Sequence, residues 1–227
     1  MTNRLALLGF DTETTGVSVT NDRIITTALV TRDEQGVVLE RDWLIDPGVE
    51  IPARASAIHG ITTEYAQAHG RPPAEALEEI AQALTARPGL PIVAFNASYD
   101  LRILDSELAR HGLSTLSKRL GRPVGPVLDP LVLDRGVDRY RRGARKLGDL
   151  VAHYRVETRG DLHDAVVDVR STIDVLDAIL DAHLELQQMT LEELHAWQVG
   201  HHRAWADNFN AFLASKGRNP DVDLVWP

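Results

Sequence analysis

Two carboxylates stand two residues apart in the segment from Phe10 to Gly16, directly after an apolar run from Leu5 to Phe10 that is typical of a buried strand. Because side chains alternate across a strand, Asp11 and Glu13 are expected to project from the same face. Converging carboxylates repel each other unless a cation lies between them, and their hard oxygen atoms favour Mg²⁺ or Mn²⁺. The triplet alone is weak evidence, because Asp105-Ser106-Glu107 repeats it on a predicted helix.

Three further residues have types suited to the same chemistry. Asp100 lies in the first turn of a predicted helix, where most acids only interact favourably with the helix dipole. His163 and Asp168 stand at the start of the longest predicted core helix, His163 in the loop and Asp168 on the helix. The same spacing recurs at His202 and Asp207, so it is not specific by itself. The evidence that these residues form one site is their order along the chain together with the predicted strands and helices on which they lie.

Strands and helices alternate after an all-strand beginning. The β-branched segments Ile24 to Val30 and Val37 to Ile45, joined through a turn, predict antiparallel partners for the first strand. Short strands are expected within Ile92 to Phe95 and within Val127 to Leu133. Helical spacing of apolar residues follows Pro72-Pro73, follows Ser98, and spans Lys146 to Tyr154, Asp164 to Leu186 and Thr190 to near Gly217. The order predicts an α/β fold, a mixed sheet with helices packed on it.

Composition places the chain among globular proteins and limits its chemistry. Its 227 residues contain no cysteine, which excludes a disulfide framework, a thiol nucleophile and a thiolate metal site. No apolar run is long enough to cross a bilayer and the N-terminus does not resemble a signal peptide, so we expect a cytoplasmic protein without membrane contact.

The charge of the chain is acidic overall but uneven. The net charge is −9, from 33 acidic and 24 basic residues, whereas binding to nucleic acid through charge alone requires a basic protein. One basic cluster precedes the predicted helix at Lys146: Arg135, Arg139, Arg141, Arg142, Arg145 and Lys146. From charge alone this cluster is either a solvated helix flank or a surface that holds a phosphate backbone.

The acidic motifs, taken in order, resemble the DEDDh branch of the DnaQ-like exonucleases, the family of the proofreading subunit of bacterial replicative polymerase. Residues 11–16 resemble its first motif, 96–100 its second and 163–168 its third, while 59–62 resemble the segment beside the terminal nucleotide. The resemblance covers roughly Leu5 to Leu184. It implies a ribonuclease H-like fold with a five-stranded mixed sheet flanked by helices, in an exonuclease domain at 1–184 followed by a helical extension at 185–227.

The same resemblance implies a chemistry for each motif residue. Asp11, Glu13, Asp100 and Asp168 would hold two divalent cations, Mg²⁺ or Mn²⁺, and His163 would remove a proton from the attacking water. The implied activity is 3′→5′ hydrolysis of DNA, with single strands favoured and nucleoside 5′-monophosphates released. A DNA polymerase or a repair complex is the implied protein partner. Substrate contacts are expected from Thr12, Thr14, His59, Ile61, Asn96, Tyr99, Arg141, Arg142 and Arg145.

Three other functions remain open on the residues. A haloacid-dehalogenase-like phosphatase would use Asp11 as a nucleophile, but such enzymes normally carry a second aspartate where Glu13 stands. A non-catalytic nucleic-acid-binding module is the second, although none of the five motif positions is lost. RNA as the substrate of the same fold is the third. The ending Thr14-Thr15-Gly16 looks more like the DNA-directed members.

The predicted last helix carries an aromatic stripe of Trp197, His201, Trp205, Phe209 and Phe212. Such a stripe can stack on bases, but aromatic residues on a helix more often pack against a core, and we expect packing here.

Overall fold

The computed structural model describes residues 4–157 and 164–227. Within these ranges the strands form one five-stranded sheet of order β3-β2-β1-β4-β5. Its strands are β1 (Leu7–Thr14), β2 (Ile24–Arg32), β3 (Val38–Leu44), β4 (Ile92–Val93) and β5 (Val127–Leu128). β1, β2 and β3 pair antiparallel, whereas β4 and β5 continue the sheet in parallel with β1. The predicted mixed sheet with an antiparallel beginning is confirmed.

Helices follow and separate the strands. They are α1 (Ala53–His59), α2 (Thr63–His69), α3 (Pro73–Thr85), α4 (Ala97–Arg110), α5 (Leu116–Leu120), α6 (Pro130–Val137), α7 (Leu147–Tyr154), α8 (Ala165–Ala182), α9 (Leu184–Gln187) and α10 (Leu191–Ser215). Among the described residues, none of these helices has both the length and the apolar character needed to cross a membrane.

The two faces of β1 pack into different cores. Leu8 and Phe10 belong to a cluster with residues of α3 and α4, and Leu7 belongs to a second cluster with residues of α8. Since side chains alternate along a strand, the odd-numbered positions of β1 face α8 and the even-numbered ones face α4. Asp11 and Glu13 therefore point toward α8, and Thr12 points toward α4.

Gly9 allows α8 to lie directly on β1. A Cβ atom at Gly9 would stand 2.5 Å from Val169 Cγ1 and 2.7 Å from Ile173 Cδ1, closer than real contacts allow. The absence of a side chain at this position therefore sets the distance between the strand that carries Asp11 and the helix that carries Asp168.

We expect Gly9→Ala to lower the free energy of unfolding by about 1–3 kcal/mol, the usual cost of overpacking a core. Gly89→Ala is the matched control, because a Cβ at Gly89 would meet nothing within 4 Å. Urea unfolding followed by tryptophan fluorescence measures both variants. Equal stability of the two would show that α8 accommodates the extra methyl group.

The segment after β5 differs from the sequence-based expectation. A strand was expected within Val127 to Leu133, but β5 ends at Leu128 and α6 begins at Pro130. The Asp129 side chain accepts a hydrogen bond from the Leu131 amide, and proline occupies the first helical position, so Asp129-Pro130 is a helix start. The helix expected to run to Leu186 is also shorter, since α8 ends at Ala182.

The C-terminal extension packs along the β5 edge of the sheet. Gln198 of α10 accepts a hydrogen bond from the Asp129 amide (2.8 Å) and donates one to the Val127 carbonyl (3.0 Å). His195 Nδ1 lies 3.2 Å from the Val127 amide nitrogen, which donates to it. These side chains cover backbone groups that an edge strand otherwise presents to other chains.

The aromatic stripe of α10 is divided between packing and exposure. Trp197 lies against Gly136, where an added Cβ would come within 2.1 Å of its ring, and Trp205 lies under the Arg135 guanidinium at 3.7 Å. Phe209 and Phe212 are 37% and 50% exposed. The expected packing therefore holds for the first half of the helix, while the second half leaves its phenylalanines partly open to solvent.

Candidate active site

Three carboxylates converge where β1 meets the start of α8. Asp11 and Glu13 project from β1, and Asp168 lies in the first turn of α8. Each offers an oxygen atom, and these three oxygens all lie within 4.8 Å of one another. The alternation of β1 and the close approach of α8 at Gly9 together produce this arrangement.

Asp100 lies close enough for its charge to affect Asp11, but it is not among the three acids whose oxygens converge within 4.8 Å. It lies in the first turn of α4 and is 4% exposed. Its Oδ1 accepts a hydrogen bond from the Thr12 hydroxyl (2.6 Å) and one from the Thr12 amide (3.2 Å). Thr12 stands between Asp11 and Glu13 in sequence, so these bonds fix the fourth acid relative to the other two on β1.

A second set of bonds ties the start of α4 to the end of β1. The Tyr99 hydroxyl donates to the Gly16 carbonyl (2.5 Å) and lies 2.8 Å from the Thr14 hydroxyl. Burial raises the pKa of Tyr99 to about 12, so this phenol is neutral at physiological pH. Asn96, just before α4, has a left-handed backbone with φ of 62°. Tyr99 and Thr14, both expected to contact substrate, thus also hold the first and second motifs together.

The loop after β1 is organised by Asp22, which sequence reasoning did not single out. Its carboxylate accepts hydrogen bonds from the Thr15 hydroxyl (2.9 Å) and the Ser18 amide (2.7 Å). A Cβ at Gly16 would stand 2.7 Å from this carboxylate, so Gly16 permits the loop to close on Asp22. The motif glycine therefore has a packing role in this loop.

Burial, and after it the charge of neighbouring carboxylates, raises the pKa of three acids of the site. Burial and the nearby charge of Asp168 raise the pKa of Glu13 to about 7. Burial raises the pKa of Asp100 to about 7, although the bonds from Thr12 favour its charged form. Burial, followed by the charges of Asp100, Glu13 and Asp168, raises the pKa of Asp11 well above its usual value. The site concentrates negative charge at a cost in stability, and a cation would relieve that cost.

The raised pKa values predict a stability that depends on pH and on metal. A carboxyl whose pKa is about 7 when folded and 4.5 when unfolded stabilises the fold at low pH, and this contribution is lost as pH rises through 7. At pH 8, Mn²⁺ at about 100 times its Kd should restore about 2.7 kcal/mol. Urea unfolding at pH 5 and pH 8, with and without Mn²⁺, measures both effects. A stabilisation by Mn²⁺ that is the same in Asp11→Asn would place the ion elsewhere.

The segment expected beside the terminal nucleotide forms the turn between α1 and α2. Gly60 has a left-handed backbone with φ of 76°, and the Ile61 amide donates to His59 Nδ1 (3.2 Å). Ile61 packs against a small cluster that contains Ile25 and Ile51. His59 Nε2 is buried without a hydrogen-bond partner among the described residues, and burial lowers the pKa of His59. The imidazole is therefore neutral near pH 7.

Two of the three arginines expected to hold substrate are directed into the protein instead. Asp134 of α6 is fully buried, and its carboxylate binds Arg141 (2.7 Å), Arg145 and the Tyr154 hydroxyl (3.0 Å). The side chains of Arg141 and Arg145 are only 13% and 12% exposed. In the structure these two residues neutralise a buried acid, and their expected contact with substrate stays a prediction. Arg142 is exposed and stays a predicted substrate contact.

This division of the basic cluster predicts opposite effects for neighbouring arginines. Arg145→Ala should lower the free energy of unfolding by about 1–3 kcal/mol, because it takes one partner from the buried Asp134 carboxylate. Arg142→Ala should leave stability within about 0.5 kcal/mol and reduce the slope of log Kd for DNA against log salt by about 1. Urea unfolding and fluorescence anisotropy at several salt concentrations test the pair. An unchanged salt slope in Arg142→Ala would make it a solvated flank residue.

The predicted general base, His163, lies outside the described residues. The residue after it, Asp164, accepts hydrogen bonds from the Val166 and Val167 amides and caps α8. Asp168 follows in the first turn of this helix.

Comparison with known proteins decides the family. The sequence model of the RNase T family, described as exonuclease, matches residues 8–176. The chain belongs to this exonuclease family. The matched segment of this RNase T-type domain contains all four acids and the whole sheet apart from Leu7, and it stops within α8.

The curated proteins that this exonuclease domain resembles include DNA polymerase III proteins of bacteria. The chain is 29% identical over 188 residues to DNA polymerase III PolC-type of Streptococcus thermophilus, which covers 82% of this chain and 12% of that protein. It is 34% identical over 105 residues to DNA polymerase III subunit epsilon of Treponema pallidum, covering 46% of this chain and 47% of that subunit. The chain thus spans about an eighth of the PolC-type relatives it matches. The expected resemblance to the DnaQ-like exonucleases is confirmed.

Solved structures show the same fold. E. coli exonuclease I in complex with a dT13 oligonucleotide superposes with a TM-score of 0.66 at 20% identity, covering 80% of this chain and 42% of that one. Exonuclease X in complex with 5′ overhanging duplex DNA superposes with a TM-score of 0.60 at 21% identity, covering 85% of this chain and 99% of that one. The expected ribonuclease H-like fold of the RNase T-type domain is confirmed, and the phosphatase alternative is not favoured.

Proposed function

We propose that this protein is a divalent-metal-dependent 3′→5′ exonuclease that releases nucleoside 5′-monophosphates from DNA ends. The observation that carries the proposal is the convergence of Asp11, Glu13 and Asp168 oxygens within 4.8 Å of one another. Asp100, held by two hydrogen bonds from Thr12, adds a fourth acid to the same end of β1.

The residues present fit divalent cations. The donor set consists of carboxylate oxygens alone, which suits Mg²⁺ or Mn²⁺. The raised pKa values of Asp11, Glu13 and Asp100 mark a cluster that gains stability when cations share its charge. We assign the metal-holding role to these three residues and Asp168. Bound there, divalent ions supply charge neutralisation for the scissile phosphate and for the oxygens that enter and leave it.

The protein's own groups then orient the substrate and move a proton. His163 takes a proton from the attacking water, whose oxygen forms a bond to the phosphorus of the terminal phosphodiester. The bond from that phosphorus to the 3′ oxygen of the preceding nucleotide breaks, and that oxygen gains a proton. Thr12 keeps the Asp100 carboxylate in place throughout, and His59, Ile61, Asn96, Tyr99 and Arg142 contact the strand end.

DNA is the proposed substrate, and a polymerase or repair complex the proposed partner. Support comes from the relatives: two are DNA polymerase III proteins, and two fold neighbours were solved with DNA. The preference for single strands is supported by E. coli exonuclease I, which was solved in complex with a dT13 oligonucleotide. RNA is the competing substrate, and product analysis separates the two.

The deciding experiment digests 5′-labelled DNA and RNA oligonucleotides with Mg²⁺, with Mn²⁺ or with excess chelator. We expect single-nucleotide shortening of DNA from the 3′ end and release of nucleoside 5′-monophosphates only when metal is present. Asp168→Asn should abolish digestion, and Asp42→Asn should not, because Asp42 is an exposed carboxylate on β3 outside the cluster. Inorganic phosphate as the product would favour a phosphatase. Tight binding of DNA without digestion would favour a non-catalytic nucleic-acid-binding module. Faster digestion of RNA than of DNA would show that RNA is the substrate.

A further inference from the structure

Asp129 joins the starts of two helices through one buried carboxylate. The residue is 1% exposed. Its Oδ1 accepts hydrogen bonds from the Asn96 amide (3.1 Å) and the Leu131 amide (2.9 Å), and its Oδ2 accepts one from the Ala97 amide (3.0 Å). A residue from the β5–α6 junction thus binds the first amides of α4 as well as those of its own helix α6.

This carboxylate replaces the cap that α4 does not provide for itself. The first amides of a helix have no partner inside the helix and need an acceptor from elsewhere. Asn96, at the cap position of α4, makes no side-chain cap bond and has a left-handed backbone that L residues rarely adopt. The bonds from Asp129 hold the chain in this turn, and Tyr99 and Asp100 follow it within the first turn of α4.

Gln198 of α10 fixes Asp129 from the other side. Gln198 is fully buried. Its Oε1 accepts from the Asp129 amide (2.8 Å), and its Nε2 donates to the Val127 carbonyl (3.0 Å). The side chain therefore uses both its acceptor and its donor on the backbone that leads into Asp129, a pattern that an amide satisfies and a hydrocarbon of the same size does not.

We propose that Asp129 and Gln198 are positioning residues for the exonuclease reaction, which rests on the function proposed above. The hydrogen bonds run from Gln198 to Asp129, from Asp129 to the Asn96 and Ala97 amides, and from α4 to Thr12 through Asp100. The C-terminal extension thereby holds the second acidic motif in its place beside β1, although it contributes no acid to the cluster. Neither residue belongs to the motifs that the sequence analysis singled out.

The expected result is a loss of turnover without a matching loss of substrate binding. A displacement of about 1 Å in a reacting geometry costs on the order of 10²-fold in rate. Gln198→Met keeps the length of the side chain and removes its hydrogen bonds to Asp129 and Val127, so we expect kcat to fall by about 10- to 10²-fold with KM little changed. Asp129→Asn retains one acceptor oxygen and should lose less turnover than Asp129→Ala.

His195→Leu provides the matched control. His195 lies on the same helix and binds the same strand at Val127, but it makes no described contact with Asp129. If α10 only stabilises the fold, His195→Leu and Gln198→Met should lower kcat in proportion to their loss of melting temperature. If Gln198 positions α4, its variant should lose more turnover than His195→Leu when both are assayed at the same interval below their own melting temperatures.

Amide hydrogen exchange supplies a measurement that does not need nuclease activity. In Gln198→Met and Asp129→Ala, exchange of a peptide covering residues 94–101 should accelerate, while a peptide covering α3 stays as in the wild type. His195→Leu should leave the 94–101 peptide protected. Unchanged protection of 94–101 in both test variants, or turnover losses equal to those of His195→Leu, would overturn the proposal. A wild-type protein without nuclease activity would defeat the proposed function alone, because the exchange result still tests the hydrogen-bond chain.

Discussion

Replacing Asp11 by asparagine is expected to lower the rate of DNA digestion by about 10³-fold or more, since metal-assisted charge stabilisation is worth several kcal/mol and each 1.36 kcal/mol is a factor of ten. The amide keeps the shape of the side chain and removes one anionic ligand. The same change should stabilise the metal-free protein at pH 8, because the negative charge of Asp11 is buried beside Asp100, Glu13 and Asp168.

Opposite effects on activity and on stability distinguish this result from unfolding. Initial rates on a 5′-labelled single strand and urea unfolding in excess chelator give the two quantities. Asp42→Asn, on the exposed side of β3, is the control and should change neither. Digestion by Asp11→Asn at the wild-type rate would contradict the metal-dependent mechanism. Full activity of the wild type in excess chelator would contradict it as well.

The second large effect is expected at His163. A positioned general base contributes about 10²–10⁴-fold, so His163→Ala should lower kcat by that factor. In the proposed site the four carboxylates would hold metal without it, so Mn²⁺ affinity measured by titration calorimetry should change little. At saturating Mn²⁺, which keeps the carboxylates ionised, the rate of the wild type should rise with pH as the imidazole loses its proton, and this limb should be absent from the variant.

His69→Ala serves as the control for His163, because His69 is an exposed histidine at the end of α2, outside the acidic cluster. It should keep both the rate and the pH profile of the wild type. A folded His163→Ala protein with near wild-type turnover would assign this histidine to helix capping or packing, and it would remove the main reason for the DEDDh assignment.

Local periodicity was enough to predict the part of the site built on β1. Asp11 and Glu13 share a face because strands alternate, and that rule needs no knowledge of the partner elements. The capped start of α8 was readable from Asp164, whereas α4 begins at Ala97, ahead of Ser98, where a helix start was expected. Asp100 and Asp168 were nevertheless placed on the right helices. The succession of strands and helices predicted a mixed sheet, the family resemblance added the number of five strands, and the strand order came only from the structure.

Contacts between distant parts of the chain were not readable in this way. Arg141 and Arg145 have the charge of a nucleic-acid-binding surface, and only the burial of Asp134 shows that they neutralise an internal acid. Asp129 and Gln198 are 69 positions apart, and an isolated glutamine on an amphipathic helix carries no pattern that indicates its partner. The need for glycine at position 9 likewise becomes visible only from the side chains of α8 that lie against it.

The cover that α10 places over β5 has a consequence for how the protein is made. A ribosome adds Val127 well before His195 and Gln198, so a nascent chain that ends between them lacks the side chains that cover the Val127 backbone groups. An open strand edge is a template for pairing with another chain. We therefore expect slow translation of the segment before Gln198 to prolong the interval in which neighbouring nascent chains on one messenger RNA can associate through β5.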